Sequence, residues 1–313
     1  MNKPTRKVFT LDGGAGRILC AIPALKKYAR LHPDEDFHVV VWGWDNLLWS
    51  IPELQDRVHS IDQKGIFEDL IKDSIVIAPE PYRVWGYYNQ QKSLAQAFDE
   101  LINETDDHSD LEIPKMVLSK SEELNGFKVV NDVRAQQQKE KTIVIQPFGR
   151  GAHVNCNVIV DEETRSLEHP VYLKLVEKLS KDYNLMLFAE PQFFLEADTF
   201  TFKMNADIRS WAGVINAADY FIGCDSLGQH IARGMEKPGT VLMGSTFAIN
   251  TSYPDWFNLI ENEKIKKSYS PIRICNLDSH LANRKNDRLM DFDDKDIDKI
   301  YKNIVNHIEK KKK

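Results

Sequence analysis

At 313 residues, 42% hydrophobic and 28% charged, the chain is too long for one compact α/β core and too apolar to be disordered, so two domains are expected. Its 41 Lys and Arg against 47 Asp and Glu leave a net charge of −6, which excludes a global attraction for phosphate polymers and disfavours a nucleic-acid partner. Four scattered cysteines (Cys20, Cys156, Cys224, Cys275) form no C-x-x-C pair, and the N-terminal MNKPTRKVFTLDGG lacks an apolar signal run. No stretch approaches the roughly 20 apolar residues of a transmembrane helix, so a soluble, cytoplasmic protein is expected.

Lys7–Leu11 reads as a first strand, followed by the turn Gly13-Gly14-Ala15-Gly16. Ile18, Ile22, Leu25 and Tyr28 then recur at helical spacing, and Pro33 ends that helix. Phe37–Trp42 is β-branched and aromatic enough for a strand buried on both faces, and Ser74–Ala78 repeats the pattern. Strand and helix in alternation point to a parallel sheet. The polar stretch Val133–Lys141 lacks apolar periodicity, which places a linker there and domains at 1–138 and 139–313. A second alternation follows: strand Thr142–Gln146, a helix through Tyr172, Leu175, Val176 and Leu179, strand Leu185–Phe188, and a helix through Trp211, Val214, Ile215 and Ala218. Strand Tyr220–Cys224, a helix from about Leu227 and strand Thr240–Met243 complete the unit. Ile297, Ile300, Tyr301, Ile304, Val305 and Ile308 mark an amphipathic C-terminal helix, and the Lys310–Lys313 run beyond it complements the helix dipole. The expected architecture is two doubly wound α/β domains, with ligands beyond the carboxyl ends of the strands in the cleft between them.

Two motifs carry chemistry. In Asp12-Gly13-Gly14-Ala15-Gly16-Arg17, glycines at a strand-to-helix turn let the backbone approach an anion, although Leu19 interrupts the dinucleotide fingerprint and no P-loop Lys-Ser/Thr follows. In Cys224-Asp225-Ser226-Leu227-Gly228-Gln229-His230, Asp225 or Ser226 is placed to cap a helix whose first N–H groups, at Ser226, Leu227 and Gly228, would hold a diphosphate. A plain capping turn and a structural His230 are the alternatives.

The segment Trp211–Pro238, with its apolar helix, strand, Asp225-Ser226, His230 and Lys237-Pro238, resembles the donor-binding region of the heptosyltransferases of glycosyltransferase family nine. Gly16–Leu25 is similar to that family's N-terminal Gly-Asp-x-x-x-x-x-Pro-Ala-Leu helix. The resemblance implies a GT-B fold of two Rossmann-like domains facing each other across a cleft. It further implies a nucleotide-sugar donor on the C-terminal domain, an acceptor on the N-terminal domain, and neither metal nor other cofactor. Two departures stand out. Arg17 occupies the place of the Asp proposed as the family's catalytic base, and Leu227 stands where the donor loop has glycine, which is displaced to Gly228. Arg165 lies near the position of a basic donor-phosphate residue.

Arg17 cannot accept a proton at physiological pH, so Asp12 or Glu80 is expected to deprotonate the acceptor, with Arg17 contacting an anionic group. Gly14, Gly16, Arg150, Arg165 and Glu190 join Asp225, Ser226, Leu227, Gly228 and His230 as expected donor-binding residues, Glu190 toward a ribose hydroxyl. Asp106-Asp107-His108-Ser109-Asp110 superficially resembles metal ligands but reads as a solvated loop. Trp42-Gly43-Trp44 stands where an NAD enzyme needs an acidic residue, which counts against an oxidoreductase. A saccharide acceptor such as a lipopolysaccharide core is expected. The alternatives are a transferase acting on hydroxymethylated bases in DNA, and a non-catalytic nucleotide-sugar-binding protein.

Overall fold

The computed structural model describes residues 6–267 and 288–310; Cys275 and Lys311–Lys313 lie outside the described residues. Two compact units divide at Ser119/Lys120.

In the first unit, β1 (Lys7–Leu11), β2 (Phe37–Val41), β3 (Val58–Ser60) and β4 (Ile75–Ile77) form a parallel sheet in the order β3-β2-β1-β4. Helix α1 (Ala15–Leu31) returns over β1, and Phe9, Tyr28 and Phe37 pack edge to face between sheet and helix, with Tyr28 ring centres 4.8 and 5.1 Å from the other two. After β4 come a short helix α2 (Trp85–Tyr88) and α3 (Leu94–Asn103), which packs on α1 and is capped by a reciprocal Ser93–Gln96 capping box. Contrary to the expectation of a fully buried strand, β4 is an edge: Ile75 and Val76 are exposed, because β1 is its partner on one side and no further strand is described on the other.

The segment Asp106–Asp110 is a set of anchors for α1 and α3. Lys27, buried on α1, reaches Asp99 (3.2 Å) and Asp110 (2.7 Å), His108 Nδ1 lies 2.7 Å from Asp99, and Asp106 pairs with Lys92. These contacts close an internal network among α1, α3 and the segment that follows α3.

The second unit opens with α4 (Lys120–Gln137), so Val133–Gln137, expected to be linker, is the last stretch of a helix. Its buried residues are Gly126, Val130 and Val133, spaced four and three apart, a stripe too narrow to stand out from the polar remainder. Gln137 accepts the Leu185 N–H at 3.0 Å, which ties the helix end to the sheet. Then follow β5 (Thr142–Gln146), the hairpin β6 (His153–Asn155) and β7 (Val158–Val160), α5 (His169–Leu179), β8 (Asn184–Leu187), β9 (Phe202–Lys203), α6 (Ile208–Ala217), β10 (Tyr220–Cys224), α7 (Leu227–Gly234), β11 (Gly239–Met243), α8 (Ala248–Thr251), β12 (Asn258–Glu261) and α9 (Asp294–Lys310). Cys156 and Asn157, both at positive φ, make the two-residue hairpin turn.

The six strands run parallel in the order β12-β11-β10-β5-β8-β9. Numbered within the unit and read from β9, this is 3-2-1-4-5-6, the order of dinucleotide-binding sheets. Ile143, Ile145, Leu185, Leu187 and Ile222 face a core built with α5 and α9, the latter contributing Ile297, Ile300, Ile304 and Ile308. Strand alternation turns Val144 and Met186 the other way, and α4, packed on α6, touches both of their strands. The chain switches direction between β5 and β10, so the loops after these strands flank the crevice where such sheets bind ligands.

Candidate functional site

In the second unit, the switch point gathers Gln146 from the end of β5, Arg165 and Ser166 from the segment after the hairpin, and Asp225-Ser226 between β10 and α7. Asp225 is buried rather than a cap: its carboxylate accepts from Thr246 Oγ1 (2.7 Å) and Gln229 Nε2 (2.8 Å) and lies 3.4 Å from Arg165 Nε. Arg165 Nη2 also donates to the Asp225 carbonyl at 2.9 Å. A guanidinium held by both the side chain and the backbone of one residue is a fixed cation at the start of α7, with about a quarter of its side chain exposed.

The capping expectation for this loop is corrected in two places. Ser226 occupies the N-cap position in extended conformation but makes no capping hydrogen bond; its Oγ accepts from Gln146 Nε2 instead, at 3.1 Å. Gly228, expected to present its N–H to a diphosphate, donates it to Gln146 Oε1 at 2.6 Å. A Cβ at Gly228 would lie 2.3 Å from that oxygen and 2.9 Å from the Phe221 ring, so any side chain here must displace Gln146 or Phe221. Gln146 therefore serves as the cap of α7, a role nothing in the linear motif announces because it comes from 82 residues upstream.

His230 lies inside the unit. It is buried, its Nδ1 lies 2.8 Å from Tyr253 Oη, and burial pushes its pKa down to about 4, so the ring is neutral near pH 7. Leu227 is buried at the first position of α7. Glu190 ends at the N-cap of a short turn after β8, exposed and bonded by Gln192; Arg150 is exposed in the loop after β5. Neither is drawn into the Asp225–Arg165 cluster. Four further residues shape the site without a sequence signal: Gln146, Thr246, Ser166 and Asp161. Ser166 Oγ accepts the Gly149 N–H at 2.9 Å and donates to Asp161, fixing the loop after β5 beside Asp225.

In the first unit, the switch point lies between β1 and β4. Gly13 has φ +99°, so it is the glycine this turn requires. Gly14 is the N-cap of α1 in ordinary extended conformation, and Gly16 lies in the helix's first turn. Arg17, with 6% of its side chain exposed, lies 3.2 Å from Asp12 and 3.5 Å from Glu80, and donates to the Pro79 carbonyl at 3.1 Å. Its guanidinium carbon sits 5.3 Å from the Tyr82 ring centre and 5.8 Å from that of Phe98. The anions beside Arg17 are the protein's own carboxylates, and its burial leaves little of its surface exposed. Asp12, 58% exposed, and Glu80, 22% exposed, converge on one cation from the ends of two neighbouring strands. Glu80 Oε1 is buried without a hydrogen-bond partner among the described residues.

Among the described residues no group of three or more His, Cys, Asp or Glu side chains could hold a metal ion, and no helix is long and apolar enough to cross a membrane. No protein-family model matches the chain, and no curated protein matches it in sequence. Solved structures do. The ADP-heptose LPS heptosyltransferase II of E. coli superposes with a TM-score of 0.64 at 12% identity, covering 98% of this chain and all of that one. The iron-containing dodecameric glycosyltransferase TibC of enterotoxigenic E. coli gives 0.61 at 13% identity, over 100% of this chain and 78% of its own. A family nine glycosyltransferase of Veillonella parvula gives 0.58 at 13% identity, over 82% and 85%. At such identities the likeness speaks for the fold, and it agrees with the two sheet orders: the chain has the heptosyltransferase-like GT-B fold, built of two Rossmann-like α/β units.

Proposed function

We propose that the protein is a glycosyltransferase that moves a sugar from a nucleoside-diphosphate-sugar to a saccharide hydroxyl. The observation that carries this reading is the pinned Arg165–Asp225 pair at the start of α7, on the switch point of a 3-2-1-4-5-6 sheet. Departure of a nucleoside diphosphate leaves negative charge on its terminal phosphate. A guanidinium already oriented by Asp225, together with the backbone N–H groups of Ser226 and Leu227 at the helix start, stabilises that charge with little reorganisation. Asp225 takes no proton in this scheme; it fixes Arg165. In the first unit, Asp12 or Glu80 accepts the proton of the attacking hydroxyl, and Arg17 holds the two carboxylates in place. The donors bound by similar solved structures support the class: TibC has been solved with ADP-D-β-D-heptose and the E. coli heptosyltransferase WaaC with ADP-2-deoxy-2-fluoro heptose. The scattered cysteines, which form no C-x-x-C pair, favour a cytoplasmic setting.

Calorimetry with ADP, UDP and GDP, combined with turnover of the matching sugar donors, tests the proposal. Loss of the Arg165 cation in Arg165→Gln is expected to weaken diphosphate binding about 10- to 100-fold, the worth of hydrogen bonds to a charged group. Removal of the base in Glu80→Gln or Asp12→Asn should leave that affinity unchanged and lower turnover by about 10²–10⁴. Normal turnover in both carboxylate variants would rule them out as bases. Tight diphosphate binding without donor hydrolysis or transfer would favour the non-catalytic binding protein.

A further inference from the structure

Four of the six tryptophans lie in the first unit, and each is markedly exposed: Trp42 45%, Trp44 42%, Trp49 53% and Trp85 61%. Tryptophan carries the largest apolar surface of any side chain, so a unit that buries none of its own has a use for them outside the core. Trp42 and Trp44 follow β2, Trp85 follows β4, and between these strands lies β1 with Asp12 at its end. The Trp42 N–H donates to the Leu11 carbonyl at 2.8 Å, which joins the β2 loop to the end of β1, while Arg17 joins the β1 and β4 loops through Asp12, Glu80 and Pro79. Trp44 has φ +65°, directly after Gly43 at +70°; a bulky residue is rarely held in this left-handed region, and here the turn holds an indole out in solvent.

Charge narrows the ligand. The segments 12–17, 42–46 and 79–85 carry three acids (Asp12, Asp45, Glu80) and two arginines (Arg17, Arg83), one of the latter buried between two carboxylates. The balance of three acids to two arginines gives these segments no surplus of cations to hold a phosphate, while a carboxylate oxygen can accept a hydrogen bond from a hydroxyl. Exposed indoles on the segments after β2 and β4, with carboxylates on those after β1 and β4, match a ligand with apolar C–H faces and a hydroxyl rim. We infer that these segments bind the acceptor as an uncharged saccharide, with Trp42, Trp44 and Trp85 as stacking platforms around Asp12 and Glu80. The inference rests on the proposed glycosyltransferase function and specifies its acceptor, setting aside both a phosphorylated core oligosaccharide and a DNA duplex.

The test presents the full-length protein to an array of uncharged hexose oligosaccharides, the same oligosaccharides phosphorylated, and hydroxymethylated duplex DNA. Capture on uncharged members is expected, falling about tenfold or more in Trp42→Ala and Trp85→Ala and retained in Trp42→Phe and Trp85→Phe, since a ring of either kind presents a face. The exposed positions let all four variants keep the wild-type melting temperature. Preferential capture on phosphorylated members or DNA, no capture on uncharged ones, or indifference of capture to the alanine variants overturns the inference. Calorimetric ADP, UDP or GDP binding that persists in those circumstances shows that the acceptor assignment alone has failed; its absence shows that the donor reading has failed with it.

Discussion

At Gly228 and Arg165 the same loop separates stability from function. Gly228 is hemmed in by Gln146 and Phe221, so Gly228→Ala is expected to overpack the start of α7 and destabilise by about 1–3 kcal/mol, seen as a lowered urea midpoint. An unchanged midpoint would show that Gln146 can withdraw. A second residue-level outcome concerns acid. His230 has its folded pKa lowered to about 4 by burial, with Asp225 opposing and Arg165 reinforcing the shift, whereas an unfolded histidine titrates near ~6.5. Between those values the unfolded chain binds a proton that the folded chain refuses. Stability is therefore full above pH ~6.5, falls by up to about 1.4 kcal/mol per pH unit, and levels off below about 4. Burial lowers His38 and His169 in the same direction, so the slopes add. Melting temperatures from pH 7 to pH 4 should fall steadily, with a shallower fall in His230→Gln; an equal slope would remove His230 as a contributor.

The α4–α6 pair makes the case at the level of elements. These helices touch through glycines: a Cβ at Gly126 would lie 2.1 Å from the Gly213 carbonyl oxygen, and one at Gly213 would lie 2.5 Å from that of Glu122. Beside the crossing, Arg209 grips both carboxylate oxygens of Glu122 through Nε and Nη2. Because backbone rather than a flexible side chain blocks the added methyl, Gly126→Ala must push the helices apart and is expected to cost at least about 1–3 kcal/mol, measurable by chemical denaturation. The crossing also explains why α4 was illegible as a helix. Close approach through glycine needs no broad apolar stripe, so the segment carries little of the periodicity that revealed α1, α5 and α9.

Across the whole molecule, the division of the chain follows α4. A fragment beginning at Lys120 keeps the helix that covers α6 and touches β5 and β8; one beginning at 139, the boundary drawn from composition, lacks it and exposes that face. Fragment 120–313 is expected to fold cooperatively and fragment 139–313 to aggregate or melt without cooperativity, as judged by calorimetry and light scattering. Equal behaviour of the two would place α4 outside the second unit's folding core. Much of the architecture was nonetheless written locally. Parallel strands buried on both faces, such as Thr142–Gln146 and Tyr220–Cys224, read as short continuous apolar runs, and the Ile297–Ile308 stripe needs only its own period. The Asp225-Ser226 loop and the Asp12–Arg17 turn were legible for the same reason, since strand-loop-helix junctions are contiguous in sequence. What tertiary structure alone decided is who meets whom across such junctions: Gln146 capping α7, Arg165 locked on Asp225, Arg17 neutralised by Asp12 and Glu80, and β4 left as an edge. Each depends on strand order, and strand order is set by long-range packing that no local period encodes.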